Sequence, residues 1–270
     1  VTAPEPGCEQ RRGWRRHGGA WEATLEVVGT GPDSTRVTAL DALVARLAPV
    51  QWTARTFSSS WGAEFEPVRH PSALGLTVEM RSGRSSHGAH PLLVLESADA
   101  VVLVSVAWSG NWRISVDADG VLRAGIQPHD FFVDLAPGES VRAPSVFVAH
   151  GSTLGEAGAA LSSAVGGLIP RTPWSDAMPT EWNHWWPYED RAIDAASFLA
   201  ESAAAADVGL EVATLDAGWF GSADLSADWQ TERGDWEREN TLRFPDGVAG
   251  LADAVRGEGV EFGVWIEAEA

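Results

Sequence analysis

From about Trp21 to about Val148, apolar residues come in short runs, and each run stops at turn chemistry. "VVLVSVAW" (Val101 to Trp108) leads into "SGN", and "WRISVD" then alternates apolar and polar positions. "ADG" at Ala118 to Gly120 and Pro137-Gly138 are further turn signals. Period-two alternation broken at regular intervals predicts antiparallel strands stacked as a β-sandwich. The segment "VTALDALVARLAPV" fits a helix locally, and its periodicity does not settle the matter.

After Gly151 the period changes. "TLGEAGAALSSAVGGLIP" reads as a helix leading into a linker stiffened by Pro170 and Pro173. "PTEWNHWW" is a strand candidate. The stretch "EDRAIDAASFLAESAAAADVG" opens with acids and closes on Gly209, as the dipole and C-terminal cap of a helix favour. "LEVATLD" is a second strand. "FPDGVAGLADAVRGEG" is a helix with Asp246 as its expected N-cap, and "VEFGVWIE" is a third strand. The order β-α-β-α-β assembles into a parallel sheet through right-handed crossovers. No Gly-rich phosphate loop follows the first strand, which favours an α/β barrel over a doubly wound sheet. Ligands of barrels sit at the C-terminal strand ends, and these ends read "NHWW", "LDAGW" and "WIEAEA". The domains expected are a sandwich over 1–150, a helical linker over 151–178 and a partial barrel over 179–270.

Composition narrows the function. The formal charge is −19, and all 19 basic residues are Arg. Such acidity repels phosphate backbones and argues against nucleic acid or an anionic membrane as partner. The cluster Arg11, Arg12, Arg15, Arg16 reads as a solvated segment. One cysteine, Cys8, excludes an intrachain disulfide, and the seven His lack paired metal spacing, so no metal and no cofactor are implied. The first residues lack both an initiator Met and an apolar core and do not form an intact secretory signal, which leaves localisation open. Fourteen Trp stand against a single Tyr. Trp offers a flat apolar face and one N–H donor, a surface on which the C–H face of a sugar ring stacks. By position alone Asp216 is either a turn or cap acid or a group aimed at a ligand.

In "FSSSWGAEFEPVRHP", "RSGRSSHGAHPLL", "AWSGNW", "NHWWPYED", "TLDAGWFG" and "GDWERENTLRFPDGVAGLADAVRGEGVEFGVWIEAEA" the chain resembles glycoside hydrolase family 36, the α-galactosidases or melibiases. Asn-x-Trp, Asp-x-Gly-Trp, Gly-Asp-Trp, Phe-Pro-Asp-Gly and Trp-x-Glu-x-Glu in this order are specific together. The resemblance implies an N-terminal β-supersandwich followed by the first three βα units of a (β/α)8 TIM barrel. It implies that Trp185, with Asn183 beside it, lines a sugar pocket. Asp216 would take outer hydroxyls of a terminal galactose, and Trp265 would wall the same pocket. Trp61 on a sandwich loop is a further candidate. Trp219 is expected to pack behind the pocket, while Trp236 fits core, rim or pocket. Glu267 and Glu269 are expected to support the site rather than react. Many family members carry two adjacent acids at the second strand, and here the second position is Ala217, which puts one hydroxyl contact in doubt.

The activity implied is hydrolysis of terminal α-linked galactose, as in melibiose or raffinose, by a retaining double displacement. That reaction uses two carboxylates about 5 Å apart, which the family places on the fourth strand, in a Lys-x-Asp element, and on a later one. The chain holds no Lys and stops just past the third strand. No catalytic residue is therefore assigned within it, and alone it is expected not to hydrolyse p-nitrophenyl α-galactoside. Alternatives are an α-N-acetylgalactosaminidase, a galactosyl transferase such as raffinose synthase, or a non-catalytic sugar-binding module. The partners implied are an oligosaccharide with terminal α-galactose and further copies of the chain, as a homotetramer.

Overall fold

The computed structural model describes residues 7–268, which divide into two compact units at Pro170 and Arg171. In the first unit, eight strands form a large antiparallel sheet and four form a smaller one. The large sheet runs, from edge to edge, Cys8–His17, Ala20–Gly29, Val146–Gly151, Val101–Val106, Leu92–Glu96, Thr53–Ser60 and Ala63–His70, with Ser140–Arg142 pairing Ala20–Gly29 beside this path. The small sheet runs Asp41–Arg46, Val121–Ile126, Trp112–Val116 and Thr77–Glu79.

Alternation explains how the two sheets stack. Leu25, Val27, Leu93, Leu95, Val104 and Val146 point from the large sheet into one core with Leu43, Trp112, Ile114, Val116 and Leu122 from the small sheet. The intervening positions Ala20, Val94, Leu103, Phe147 and Ala149 are buried on the opposite face, against Ala157 and Ala164 of the helix Leu154–Gly166. Thr153 caps that helix, accepting the Glu156 N–H at 3.2 Å. The helix of the expected linker thus packs within the sandwich unit.

Folding settles one open segment and adds to the reading of another. The helix-compatible segment forms the strand Asp41–Arg46, because pairing with Val121–Ile126 buries Ala42 and Leu43 in the core, and tertiary contact overrides local propensity. The arginine-rich segment, expected as solvated, does expose Arg11, Arg12, Arg15 and Arg16, and it is also the edge strand Cys8–His17, paired along its whole length with Ala20–Gly29. Charged side chains stand on both of its faces, so it carries no regular alternation to reveal it.

The second unit holds the strands Glu181–Asn183, Val212–Leu215 and Glu261–Val264, parallel and adjacent in that order. The helix Ala195–Asp207 follows the first strand and Gly247–Gly257 follows the second. Phe198, Leu251 and Val255 bury their side chains against Ala213 and Leu215 of the central strand. Asp194 caps the first of these helices, accepting the Ser197 N–H at 2.8 Å. Asp246 holds the N-cap position of the second without a side-chain bond. The Glu239 carboxylate accepts the Val248 N–H instead, at 3.1 Å.

Candidate functional site

The parallel register aligns Asn183 with Thr214 and Leu215 with Val264, so the residues after the three strands leave the same edge of the sheet. There Asn183 and Asp216 are joined by a bond from Asn183 Nδ2 to Asp216 Oδ2 at 2.7 Å. The direction of this bond is forced. The Trp185 backbone N–H, which can only donate, meets Asn183 Oδ1 at 2.8 Å and so turns the amide group toward Asp216. The Ala217 N–H donates to the other carboxylate oxygen, Oδ1, at 2.7 Å. An ionised carboxylate has about four acceptor sites. Two are filled from within the chain, which leaves acceptor capacity for ligand hydroxyls.

Below Asp216 lies His184, wholly buried. Its Nδ1 accepts the Asp216 N–H at 2.9 Å, which places the ring proton on Nε2. Nε2 finds no partner among the described residues. Burial drives the His184 pKa below its ordinary 6.5, and the nearby Asp216 charge opposes this only in part. The folded state therefore disfavours the proton that the unfolded chain binds below about pH 6.5. The stability contributed by neutral His184 is present above that pH and lost as pH falls through the lower folded value. Unfolding midpoints in urea at pH 7.5 and pH 5.5 are expected to show this loss, and His184→Asn is expected to flatten the slope.

The aromatic part is organised around Trp229. Its ring stands edge-to-face with Trp185 at 5.7 Å and with Trp265 at 5.9 Å, the preferred geometry for such pairs. Trp236 packs against Trp265 and Trp219. Trp219 is buried, and its indole N–H donates to the Trp265 carbonyl at 3.0 Å, bracing that residue from behind. Trp185 and Trp265 are only partly buried. On the outer side of Trp229 the Arg233 guanidinium lies 5.8 Å from the ring centroid and pairs with Glu267 at 2.8 Å.

Trp229 opens the short helix Trp229–Glu232, and the chain leading into it is held in place by buried polar groups. Asp190 accepts the Trp229 N–H at 2.9 Å. Arg243, 3% exposed, donates to the carbonyls of Gly218 at 3.1 Å, Leu225 at 2.9 Å and Ala227 at 3.3 Å. Asn240 ties Asp224 and Trp219 to the same point. Gly218 has φ 109°, and a Cβ there would come within 2.7 Å of the Asp190 carbonyl oxygen, so the "DAGW" turn takes only glycine at that position.

The structure thus brings Asn183, Trp185, Asp216 and Trp265 to one strand-end cluster. Ala217 is buried among apolar side chains and presents only its methyl group. Glu267 is engaged by Arg233, and Glu269 lies outside the described residues. Trp61 belongs to the first unit, 88% exposed at the turn between Thr53–Ser60 and Ala63–His70. His184, Asp190, Trp229 and Arg243 were missed by sequence reasoning. Of these, His184, Asp190 and Arg243 sat within quoted motifs without a role of their own, while Trp229 lies outside them, at the start of the four-residue helix Trp229–Glu232.

Comparison with known proteins places this chain in a lineage. A model of the glycosyl hydrolase family 36 N-terminal domain matches residues 17–136, and the melibiase model matches residues 141–270. The chain belongs to glycoside hydrolase family 36. It is 33% identical over 224 residues to the α-galactosidase AgaA of Geobacillus stearothermophilus, covering 78% of this chain and 30% of that protein. It is 30% identical over 200 residues to the α-galactosidase Mel36A of Lactobacillus acidophilus, covering 69% of this chain and 26% of that one. The family 36 chain therefore spans about a third of the length of these relatives. A crystal structure of an AgaA variant bound to 1-deoxygalactonojirimycin superimposes with a TM-score of 0.83, at 25% identity, over 97% of this chain and 38% of that one. Other AgaA variants, 26% identical with a TM-score of 0.79 over 92% of this chain and 36% of theirs, were solved with stachyose and with raffinose.

Proposed function

We propose that this chain carries the galactose-reading part of a retaining α-galactosidase acting on terminal α-linked galactose. In this reading the three parallel strands are the first βα units of a (β/α)8 barrel that begins near residue 179. The nucleophile and the acid/base belong to later strands. The observation that carries the reading is the Asn183–Asp216 pair, with acceptor capacity to spare, beside the array of Trp185, Trp229 and Trp265. A pyranose stacks its C–H face on indole while its rim hydroxyls donate to a fixed carboxylate. Galactose and glucose differ only in the C4 hydroxyl, and a carboxylate left unmatched by the wrong epimer discriminates strongly. The AgaA complexes with raffinose and stachyose support oligosaccharides of that type as the substrate class.

Titration of the chain with 1-deoxygalactonojirimycin and with its gluco epimer tests this, read from the indole N–H resonances of Trp185 and Trp265. The galacto compound is expected to shift both, and the gluco epimer to need at least about tenfold more, or 1.4 kcal/mol. Equal responses to the two, or none to either, would refute the reading.

A further inference from the structure

The edge strand Cys8–His17 has an unusual inner face. Residues directly opposite in an antiparallel pair point to the same side of the sheet. The register therefore sets Gln10, Arg12, Trp14 and Arg16 on the face of Val27, Leu25, Ala23 and Trp21. Ala23, Leu25 and Val27 are core residues that face the small sheet. A strand beside them is expected to continue the core with aliphatic side chains, yet this one supplies an amide, two guanidinium groups and an indole. Arg12 spans the gap between the sheets and donates to the carbonyls of Asp41 at 3.0 Å and Ala42 at 3.2 Å.

Next to Arg12 a cavity of about 330 Å³ opens, with Leu25, Val27 and Val37 as its apolar wall and Gln10, Arg12 and Arg123 as polar groups. Among the described residues the carboxylate lining it is that of Asp41, which is occupied by both contacts of Arg113 at 3.1 Å. On the other side of Arg12 the same face carries Trp14, 57% exposed, and Trp21, 39% exposed. They are diagonal neighbours across the strand pair, and the Arg16 guanidinium lies 5.9 Å from the Trp21 ring centroid. The indole N–H groups of Trp52, Trp112 and Trp219 are bonded to carbonyls of the chain, and those of Trp14 and Trp21 have no such bond among the described residues.

We propose that this face of the sandwich is an accessory saccharide site, built from residues of the first unit alone. An oligosaccharide lies along the edge strand with pyranose faces on Trp14 and Trp21, and its hydroxyls meet Gln10 and Arg12 at the cavity. Two exposed indoles side by side form an apolar platform of the kind that marks an interaction surface. Arg12 Nη2 also donates to Gln10 Oε1 at 3.2 Å, which leaves the Gln10 NH2 group as the donor for a neighbouring hydroxyl. The net charge of −19 weighs against a phosphate backbone in the same place. The choice of a saccharide over other ligands rich in hydroxyls rests on the function proposed above.

The test is a titration of the labelled 270-residue chain with stachyose, following indole N–H resonances. Trp14 and Trp21 are expected to shift, and to shift equally in Asp216→Asn. Trp14→Ala with Trp21→Ala should weaken the calorimetric affinity at this site at least about tenfold, while the responses of Trp185 and Trp265 persist. Trp14→Phe, which keeps an aromatic face and the fold, should retain most of the binding. Silence of Trp14 and Trp21 at saturating stachyose overturns the proposal, whatever Trp185 and Trp265 do. So does concentration-dependent shifting without sugar, accompanied by a fall in sedimenting mass in the double variant, because a second copy of the chain would then cover the platform. Response at Trp14 and Trp21 with none at Trp185 and Trp265 leaves this site standing and refutes the strand-end reading.

Discussion

Asp216→Asn is expected to weaken the proposed galactose recognition at the strand ends by orders of magnitude and to destabilise the second unit at the same time. Two fixed donors converge on the carboxylate, Asn183 Nδ2 on one oxygen and the Ala217 N–H on the other. A primary amide offers one oxygen and one NH2 group. Whichever way the substituted amide turned, one donor would face another. Turning Asn183 to compensate is blocked, because its Oδ1 already accepts the Trp185 N–H. Leaving one donor unsatisfied costs about 1–3 kcal/mol. Loss of two charge-assisted bonds to a ligand, at about 1.5–3 kcal/mol each, lowers affinity roughly 10²- to 10⁴-fold. The double variant Asn183→Asp with Asp216→Asn separates the two effects. The NH2 of the new asparagine then donates to the new aspartate, which still accepts the Trp185 N–H, so the internal bonds are restored. Stability is expected to return in urea titrations, while calorimetry with 1-deoxygalactonojirimycin still shows the weakened binding. Recovery of both, or of neither, would contradict this account.

Arg243→Met should produce the largest loss of stability in the second unit. Three backbone carbonyls from two turns of the Asp216–Asp246 loop converge on one buried guanidinium. Methionine keeps most of the volume and removes every donor. Burial depresses the Arg243 pKa, and the nearby Asp190 charge works against that; without Arg243, Asp190 loses this buried counter-charge. The expected cost is about 3–5 kcal/mol. With a urea slope of about 1–3 kcal/mol/M, the midpoint followed by near-UV circular dichroism of tryptophan falls by more than about 1 M. Arg243→Lys retains the charge but has a single donor head, which cannot span three carbonyls. It should recover only part of the loss. A midpoint shift below about 0.3 M for Arg243→Met, outside the range this slope allows, would show that the loop does not depend on this residue.

Much of the second unit was legible in the sequence because its helices Ala195–Asp207 and Gly247–Gly257 are long enough to show themselves, with short apolar runs between them as strands. The apolar runs, the Ala-rich stretch and the Gly209 that closes it mark the βαβαβ order, although the helix starts later than the acids Glu189 and Asp190, at Ala195 behind its cap Asp194. The same order puts Asn183, Asp216 and Trp265 at strand ends. The sandwich was legible wherever strands alternate. Three things came only from the tertiary structure. The segment around Leu43 became a strand because a partner strand and a core were waiting for it. The arginine-rich edge strand carries polar groups on both faces and shows itself only through its ladder with Ala20–Gly29. Trp229 enters the site through the Asp190 and Arg243 bonds that fold its loop. Periodicity is a property of neighbouring residues on one element, and it specifies which face of that element is buried. Which loop side chain completes a site depends on hydrogen bonds between distant residues, and these exist only once the chain has closed on itself.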